Sequence, residues 1–211
     1  MWPESEQTQE LLKAAGNGEA EAMNRLMDRH RDALRQMIKM RMDRAIAQRV
    51  DASDVVQDVL IEANRRFEEY IQNPGAPFHL WLRQLAKDRM IDMHRRHRGA
   101  QRRSVDREQR MNVQFGDQSS LDLAAHLRDH ELTPAAANIR RELEERFLAA
   151  LEHLTEEERD IILMRHYEHL GNSEVAQALG VTPPAAGMRY LRALRKLRSV
   201  LGDPSVGEDQ P

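Results

Sequence analysis

The stretch that decides the fold is Leu170–Arg198, which reads L170-G-N-S-E-V-A-Q-A-L-G-V-T-P-P-A-A-G-M-R-Y-L-R-A-L-R-K-L-R198. It predicts two helices joined by a tight turn. Gly180 can end the first helix, because glycine takes the left-handed conformation without steric cost. Thr182 can cap the second helix, and Pro183 then occupies its first position, where a missing N–H costs little. The first helix has two candidate capping residues, Asn172 and Ser173.

The second helix of this pair is expected to be apolar on one side and basic on another. Leucines at helical spacing predict the buried side: Leu191, Leu194, Leu197 and Leu201. Arg189, Arg192 and Lys196 share a different side, and residues 185–198 contain five basic residues and no acidic one. Such a helix fits the DNA major groove, so we expect these three cations to bind DNA. The alternative is a packed helix with a solvated basic face.

Composition favours an all-α protein. The 211 residues suffice for one large or two small domains, and only 4% are aromatic while 32% are charged. The net charge is only −3, but the charges are segregated along the chain. Residues 89–110 contain eight arginines against three acids, whereas residues 142–160 contain eight acids against two arginines. This segregation suggests separate surfaces for separate partners.

Several classes of function find no support in the sequence. There is no cysteine, so neither a disulfide framework nor a thiolate site is expected. The pairs His94/His97 and His166/His169 lack a third ligand, so we expect no metal site. We also find no phosphate-binding glycine loop, nucleophile elbow or catalytic carboxylate pair, and expect no enzyme activity, catalytic residue or cofactor. No apolar run suits a membrane and the N-terminus does not resemble a signal peptide, so we expect a cytoplasmic protein without membrane insertion.

The periodicity predicts two small helical domains joined by a long irregular linker. The first domain is expected over residues 8–98, the linker over 99–138, and the second domain over 139–201. Residues 202–211 are expected to form a disordered tail. The expected elements of the first domain are a helix ending at Gly16, a helix from about Glu19 to Val50, a helix capped by Asp51, a loop over Asn73–Pro77, and a helix from Phe78 to about Arg98. In the second domain, Thr155 and Glu158 form a capping box.

With these segments laid out, the chain resembles a sigma factor of the extracytoplasmic-function (ECF) type, an initiation subunit of bacterial RNA polymerase. D51-A-S-D-V-V-Q-D-V-L-I-E-A63 is similar to the family's polymerase-binding helix. F78-H-L-W-L-R-Q-L-A-K-D-R-M-I-D-M-H-R-R96 is similar to its promoter-melting helix, and residues 151–198 are similar to its reader of the −35 promoter element. Two phrases further resemble factors of planctomycete type: D51-A-S-D-V-V-Q-D58 and A185-A-G-M-R-Y-L-R-A-L-R195.

The resemblance implies that the chain binds core RNA polymerase and promoter DNA. An anti-sigma factor or another regulator is a further class of partner that it suggests. The residues implied in polymerase binding lie in one helix: Asp51, Asp54, Gln57 and Asp58. Asp54 and Asp58 are one turn apart and share a face. An alternative is that these acids only stabilise the positive end of the helix dipole.

The loop over residues 72–78 and the helix after it resemble the reader of the −10 element, where an unstacked base would be held. The residues implied in binding −10 DNA are Phe78, His79, Lys87, Arg89, Arg95 and Arg96. We expect Trp81 to be a core residue. Asp88 stands where the family usually has Asn, and Gly187 stands where it usually has a basic residue, so neither carries over a DNA-binding role.

Two other classes of function remain open. A stand-alone helix-turn-helix regulator would explain residues 139–201 but would leave residues 51–103 without a role. A helical protein that sequesters another regulator would need neither DNA affinity nor the arginines of residues 89–110. Co-purification with core RNA polymerase distinguishes both from a sigma factor.

Overall fold

The structure, a computed structural model, describes residues 2–3, 5–42, 44–47, 49–104, 142–143 and 146–202. Within these residues every regular element is an α-helix, which confirms the predicted all-α class. The chain divides into two units. The first comprises Met1–Met111 and Tyr167–His169, and the second comprises Asn112–His166 and Leu170–Pro211. The predicted tail from residue 203 onward and most of the predicted linker, residues 105–138, lie outside the described residues.

The helices of the first unit are α1 (Ser5–Gly16), α2 (Ala20–Arg41), α3 (Arg44–Ala47), α4 (Ala52–Arg65), α5 (Phe67–Gln72) and α6 (Phe78–Ser104). Those of the second unit are α7 (146–152), α8 (Glu156–His166), α9 (Asn172–Leu179) and α10 (Pro183–Leu201).

Two predicted helix ends were wrong. The helix expected to reach Val50 ends at Arg41, where Met42 turns to an extended conformation and the short α3 follows. Ile46 of this short helix is buried. The helix expected to end near Arg98 runs on to Ser104, because a single glycine at position 99 costs only about 1 kcal/mol and does not terminate a helix by itself.

The core of the first unit lies between α2, α4 and α6. Each helix contributes a buried stripe at helical spacing, which removes apolar surface from water. The buried residues of these stripes are Ala22, Leu26, Leu34 and Ile38 of α2, Val56, Val59, Leu60 and Ala63 of α4, and Phe78, Leu82, Leu85 and Ala86 of α6. Trp81 is only partly buried and packs against this core.

A fully buried histidine lies in this core. His30 is 0% exposed, its Nδ1 donates to the carbonyl of Leu26 at 2.9 Å, and its ring meets the Phe78 ring edge-on at 5.0 Å between centroids. Its Nε2 has no hydrogen-bond partner. Burial disfavours the charged imidazolium and lowers the pKa of His30 to about 4. His30 is therefore neutral in the folded protein at physiological pH.

The first unit also buries a charged group. Arg83 is 1% exposed, and its Nε donates to Glu168 at 3.1 Å; Glu168 also accepts from Arg41. A buried guanidinium requires such a partner, because an unpaired buried charge is strongly destabilising.

In the second unit, one turn of α8 is enclosed on all sides. Four consecutive residues, Ile161–Met164, are buried, so no side of this stretch faces water. The predicted capping box at its start is confirmed. The N–H of Thr155 donates to Glu158 Oε2 at 2.9 Å, and the N–H of Glu158 donates to Thr155 Oγ1 at 3.3 Å.

Among the described residues, no helix combines the length and the apolar character needed to cross a membrane.

The burial of His30 predicts a specific loss of stability in acid. The pKa of His30 is lower in the folded than in the unfolded chain, so the unfolded chain takes up the proton first as pH falls from about 6.5 to about 4. The free energy of unfolding should therefore decrease across this window, by at most roughly 3 kcal/mol. Both tryptophans, Trp2 and Trp81, belong to the first unit, so their fluorescence during urea unfolding reports this unit.

His30→Leu removes the titrating ring and should flatten this pH dependence. The same slope between pH 6.5 and pH 4 in wild type and variant would show that another group is responsible.

Candidate functional site

The exposed face of α4 brings together most of the residues predicted to bind the polymerase. Asp54, Gln57 and Asp58 are all exposed, while the opposite face of the helix is buried. Asp51 is exposed as well, but its Oδ1 accepts the N–H of Ser53 at 2.7 Å and caps the helix. This hydrogen bond lowers the pKa of the Asp51 carboxyl. Asp51 therefore shapes the start of the helix that presents the other three.

An apolar residue that sequence reasoning missed lies on the same face. Ile61 is 60% exposed and follows Asp54 by two helical turns, so the two side chains project from one side of α4. The available signal was that Ile61 falls outside the buried stripe of Val56, Val59 and Leu60 despite being a large aliphatic residue. A single exposed isoleucine is ordinary on a protein surface, so it is the position of Ile61 beside Asp54, Gln57 and Asp58 that makes it a candidate contact residue.

Two residues assigned to different interfaces bind each other. The Nε of Arg89 on α6 donates to Asp58 Oδ2 at 3.1 Å, and a second guanidinium nitrogen contacts the same oxygen. Sequence reasoning treated Asp58 as a residue for the polymerase and Arg89 as one for DNA. Both side chains are partly exposed, so the pair contributes at most about 1 kcal/mol. Its consequence is geometric, because it links the exposed faces of α4 and α6.

Phe78 lies beneath the predicted −10 loop and not at its surface. The ring is 2% exposed and packs against His30, Tyr70 and Trp81, with centroid distances of 5.0 to 5.6 Å. Burial leaves Phe78 no accessible ring face for a DNA base. The loop residues Asn73–Gly75 above it are exposed, and the Tyr70 hydroxyl donates to the carbonyl of Ala76 at 3.0 Å.

The remaining residues predicted to bind −10 DNA lie along α6. His79 is half-buried with its ring 5.8 Å from that of Trp2, and Lys87 is half-buried. Arg95 and Arg96 are exposed, but Asp92 lies 4.0 Å from Arg95. Asp88 accepts a hydrogen bond from Gln84 at 2.8 Å. The cationic part of α6 is therefore its C-terminal part, after Asp88 and Asp92.

The helix-turn-helix predicted in the second unit is present. Gly180 ends α9 in the left-handed conformation with φ 64°, and Thr182 Oγ1 accepts the N–H of Ala185 at 3.4 Å, capping α10. The predicted cap of α9 was wrong. Gly171 occupies the N-cap, and its N–H donates to Glu174 at 2.7 Å.

Asn172 does not cap α9 but connects it to α10. Its Nδ2 donates to the carbonyl of Pro183 at 2.8 Å, which connects the first residues of α9 and α10. Tyr190 connects α10 to α8, since its hydroxyl lies 2.9 Å from His166 Nε2 and its ring lies below the Arg165 guanidinium. These contacts fix the direction in which α10 projects its side chains.

The buried side of α10 differs in part from the predicted leucine stripe. Leu191 is 45% exposed, and the fully buried residues are Ala186, Ala193 and Leu197. Small residues bury here because α10 approaches its neighbours closely, so Leu191 is displaced to the outer side. That side also carries the arginines, and its exposed large residues are Met188, Arg189, Leu191, Arg192, Arg195 and Arg198.

Lys196 is already engaged within the second unit. Its Nζ donates to Glu158 Oε2 at 2.7 Å, and this contact is the main reason that the pKa of Glu158 is lowered. Arg189 and Arg192 remain exposed on one flank of α10. Arg195 was not selected from the sequence, although it projects opposite the buried Ala193 and Leu197.

Gly187 is not required by close packing within the protein. A Cβ at this position would meet only Asn172 Oδ1, at an ordinary 3.8 Å. Among the residues that the structure describes, no group of three or more His, Cys, Asp or Glu side chains could hold a metal ion.

Two family models match the chain, each over one of the predicted domains. Residues 26–100 match sigma-70 region 2, and residues 144–197 match sigma-70 region 4. The first match contains α4 and the loop before α6, and the second contains the helix-turn-helix.

Curated relatives match along nearly their full length. The ECF RNA polymerase sigma-E factor of Haemophilus influenzae is 25% identical over 185 residues, covering 88% of this chain and 90% of the relative. The RNA polymerase sigma factor NccH of Alcaligenes xylosoxydans is 27% identical, with 93% and 95% covered. The sigma factor CnrH of Cupriavidus metallidurans is 27% identical, with 90% and 92% covered.

Solved structures share the fold. CnrH in complex with the cytosolic domain of CnrY aligns with a TM-score of 0.59 and 23% identity, covering 93% of this chain and 97% of that one. RpoE of Bartonella quintana in complex with the anti-sigma factor NepR aligns with a TM-score of 0.52 and 18% identity, covering 82% and 92%. With both sigma-70 regions present in order and ECF factors among its relatives, the chain belongs to the ECF-type sigma-70 factors, which direct promoter-specific initiation of transcription by RNA polymerase.

Proposed function

We propose that this sigma factor divides its work among the exposed faces of three helices. The face of α4 binds core RNA polymerase, the end of α6 with the preceding loop opens the −10 element, and α10 reads the −35 element. The domains that carry these helices span residues 8–98 and 139–201, and residues 99–138 connect them. The observation that carries the proposal is the chemistry of these faces: acidic with one aliphatic residue on α4, and cationic on α6 and α10.

The general test is run-off transcription with core polymerase on genomic fragments. Specific transcripts that appear only when the factor is added support a promoter-specificity subunit. Sequence-specific DNA binding without any association with the core enzyme would instead indicate a stand-alone regulator. The phosphodiester chemistry belongs to the polymerase in this proposal, so the factor itself needs no catalytic residue, and it acts in the cytoplasm with that enzyme.

Two finer assignments belong to the proposal. An anti-sigma factor is one class of partner in this proposal, because the related RpoE is in complex with the anti-sigma factor NepR and the related CnrH is in complex with the cytosolic domain of CnrY. Membership of the planctomycete-type group is supported by the phrases at residues 51–58 and 185–195.

Ile61 and Asp54 should dominate binding to the core enzyme. Burying an isoleucine at an interface contributes about 1.5–3 kcal/mol, so Ile61→Ala should weaken binding about tenfold or more. Asp54→Lys should also weaken it, by reversing one charge on the same face. Titration of fluorescently labelled factor with core polymerase measures both effects.

Matched controls separate this surface from general charge and size effects. Asp32→Lys reverses an exposed charge on α2, and Ile91→Ala removes the same apolar group from α6, where Ile91 is exposed. Both should bind core polymerase like the wild type. Arg89→Ala frees Asp58 and tests whether that carboxylate contributes. Equal affinities for wild type, Ile61→Ala and Asp54→Lys would contradict the assignment of α4.

Arg192 should carry sequence preference at the −35 element, since a bidentate contact to a base edge discriminates by about 1–3 kcal/mol. Arg192→Ala should therefore reduce the difference in holoenzyme affinity between intact and scrambled −35 elements. Arg195, further along the helix, is assigned to the phosphates. Arg195→Ala should weaken binding to both DNAs and lower the slope of log affinity against log salt by about one.

Lys196 was also predicted from the sequence to bind DNA, but its contact with Glu158 makes Lys196→Ala a test of stability as well. If Arg192→Ala and Arg195→Ala change sequence preference equally, the division between base and phosphate contacts is incorrect.

Arg95 and Arg96 should support strand opening more than polymerase binding. Both are exposed at the cationic end of α6, where a positive track can grip a single strand. The double variant Arg95→Ala/Arg96→Ala should lower permanganate reactivity of unpaired thymines at the −10 element while its affinity for core polymerase stays unchanged. Arg25→Ala/Arg31→Ala removes the same charge from α2 and should open promoters normally. Normal thymine reactivity in the first variant would exclude the role given to these arginines.

A further inference from the structure

Two large apolar side chains on the outer side of α10 are exposed to solvent. Met188 is 48% exposed and Leu191 is 45% exposed. Both lie on the side of the helix opposite the buried Ala186 and Ala193, among the exposed arginines. Packing of Ala186 and Ala193 turns these two positions outward, but it does not require large apolar side chains there. A function at the surface that α10 presents to its ligand accounts for their apolar character.

Of the two, Met188 lies closer to the start of α10. The helix begins at Pro183 after the Thr182 cap, so Met188 falls in its second turn, while Leu191 follows one turn later. In a helix-turn-helix the first turns of the second helix enter the major groove and approach the base edges. Gly187, immediately before Met188, adds no side chain that would keep this part of the helix away from the DNA.

The edges of base pairs in the major groove offer one prominent apolar group, the C5-methyl of thymine. All other groups that they present there for recognition are hydrogen-bond donors or acceptors. A thioether side chain has no hydrogen-bond donor and is only a weak acceptor, so an aliphatic contact is the complementary one. Arg192 lies one turn further on the same side and can pair with guanine.

We propose that Met188 is a specificity-determining residue that contacts a thymine methyl group within the −35 element. Arg192 follows Met188 by four residues, a rise of about 6 Å along the helix axis, which corresponds to about two base pairs of DNA. The −35 element of this factor therefore contains a thymine, on either strand, within about two base pairs of the guanine that Arg192 reads. This inference rests on the proposed function of α10.

The test removes the methyl group without changing the base pairing. Holoenzyme, assembled from the full-length factor and core polymerase, first selects binding fragments from a library with a randomised −35 region. Each thymine of the selected element is then replaced singly by deoxyuridine. One replacement should lower the affinity of the wild-type holoenzyme about three- to fivefold, the value expected for one buried methyl group.

Met188→Ala should bind the thymine promoter about as weakly as the wild type binds the uracil promoter, and should show no further loss with uracil. Leu191→Ala is the matched control and should keep the full difference between thymine and uracil. Circular dichroism should show unchanged thermal unfolding for both variants, since both side chains are exposed.

The outcomes distinguish a failure of this inference from a failure of the proposed function on which it rests. Equal holoenzyme affinity for selected and scrambled −35 elements would overturn the assignment of α10 as the −35 reader. A clear preference for the selected element without any uracil effect, or with an undiminished uracil effect in Met188→Ala, would overturn only the methyl contact. The exposed pair would then be left as a surface for a partner protein.

Discussion

The packing of α4 against α6 is the constraint on which the first unit depends. Each helix places one stripe in a shared core with α2, so each has only its opposite side available for partners. The Arg89–Asp58 pair lies where these two available sides meet. A charge assigned to polymerase binding and one assigned to DNA binding therefore neutralise each other in part, and a partner that engages either must compete with the other.

The aromatic residues around Phe78 belong to the same core or pack against it. A chain with only 4% aromatic residues has few rings to use, and the first unit packs Phe67, Tyr70 and Trp81 around Phe78. Tyr70 stacks on Trp81 with 4.6 Å between ring centroids, and its hydroxyl donates to the loop carbonyl of Ala76, which ties the loop to this cluster.

In the second unit, small buried residues determine which side chains of α10 face outward. Ala186 and Ala193 allow α10 to lie close to its neighbours, and Tyr190 attaches it to the end of α8. Leu191 and Met188 are consequently turned outward with the arginines. Lys196, one of the cations predicted to bind DNA, is in contact with Glu158, while Arg195 is exposed on the outer side of the helix.

The sequence by itself determined the helical class, the caps at Asp51, Thr155 and Thr182, and the glycine that ends α9, because these depend on residues a few positions apart. It also determined which sides of α2 and α4 are buried, through strong apolar periodicity. Only the tertiary structure decided what each exposed side chain meets: Arg89 meets Asp58, Lys196 meets Glu158, Phe78 faces inward, and Leu191 faces outward. These outcomes depend on how closely distant helices approach one another, and spacing along a single helix carries no information about that distance.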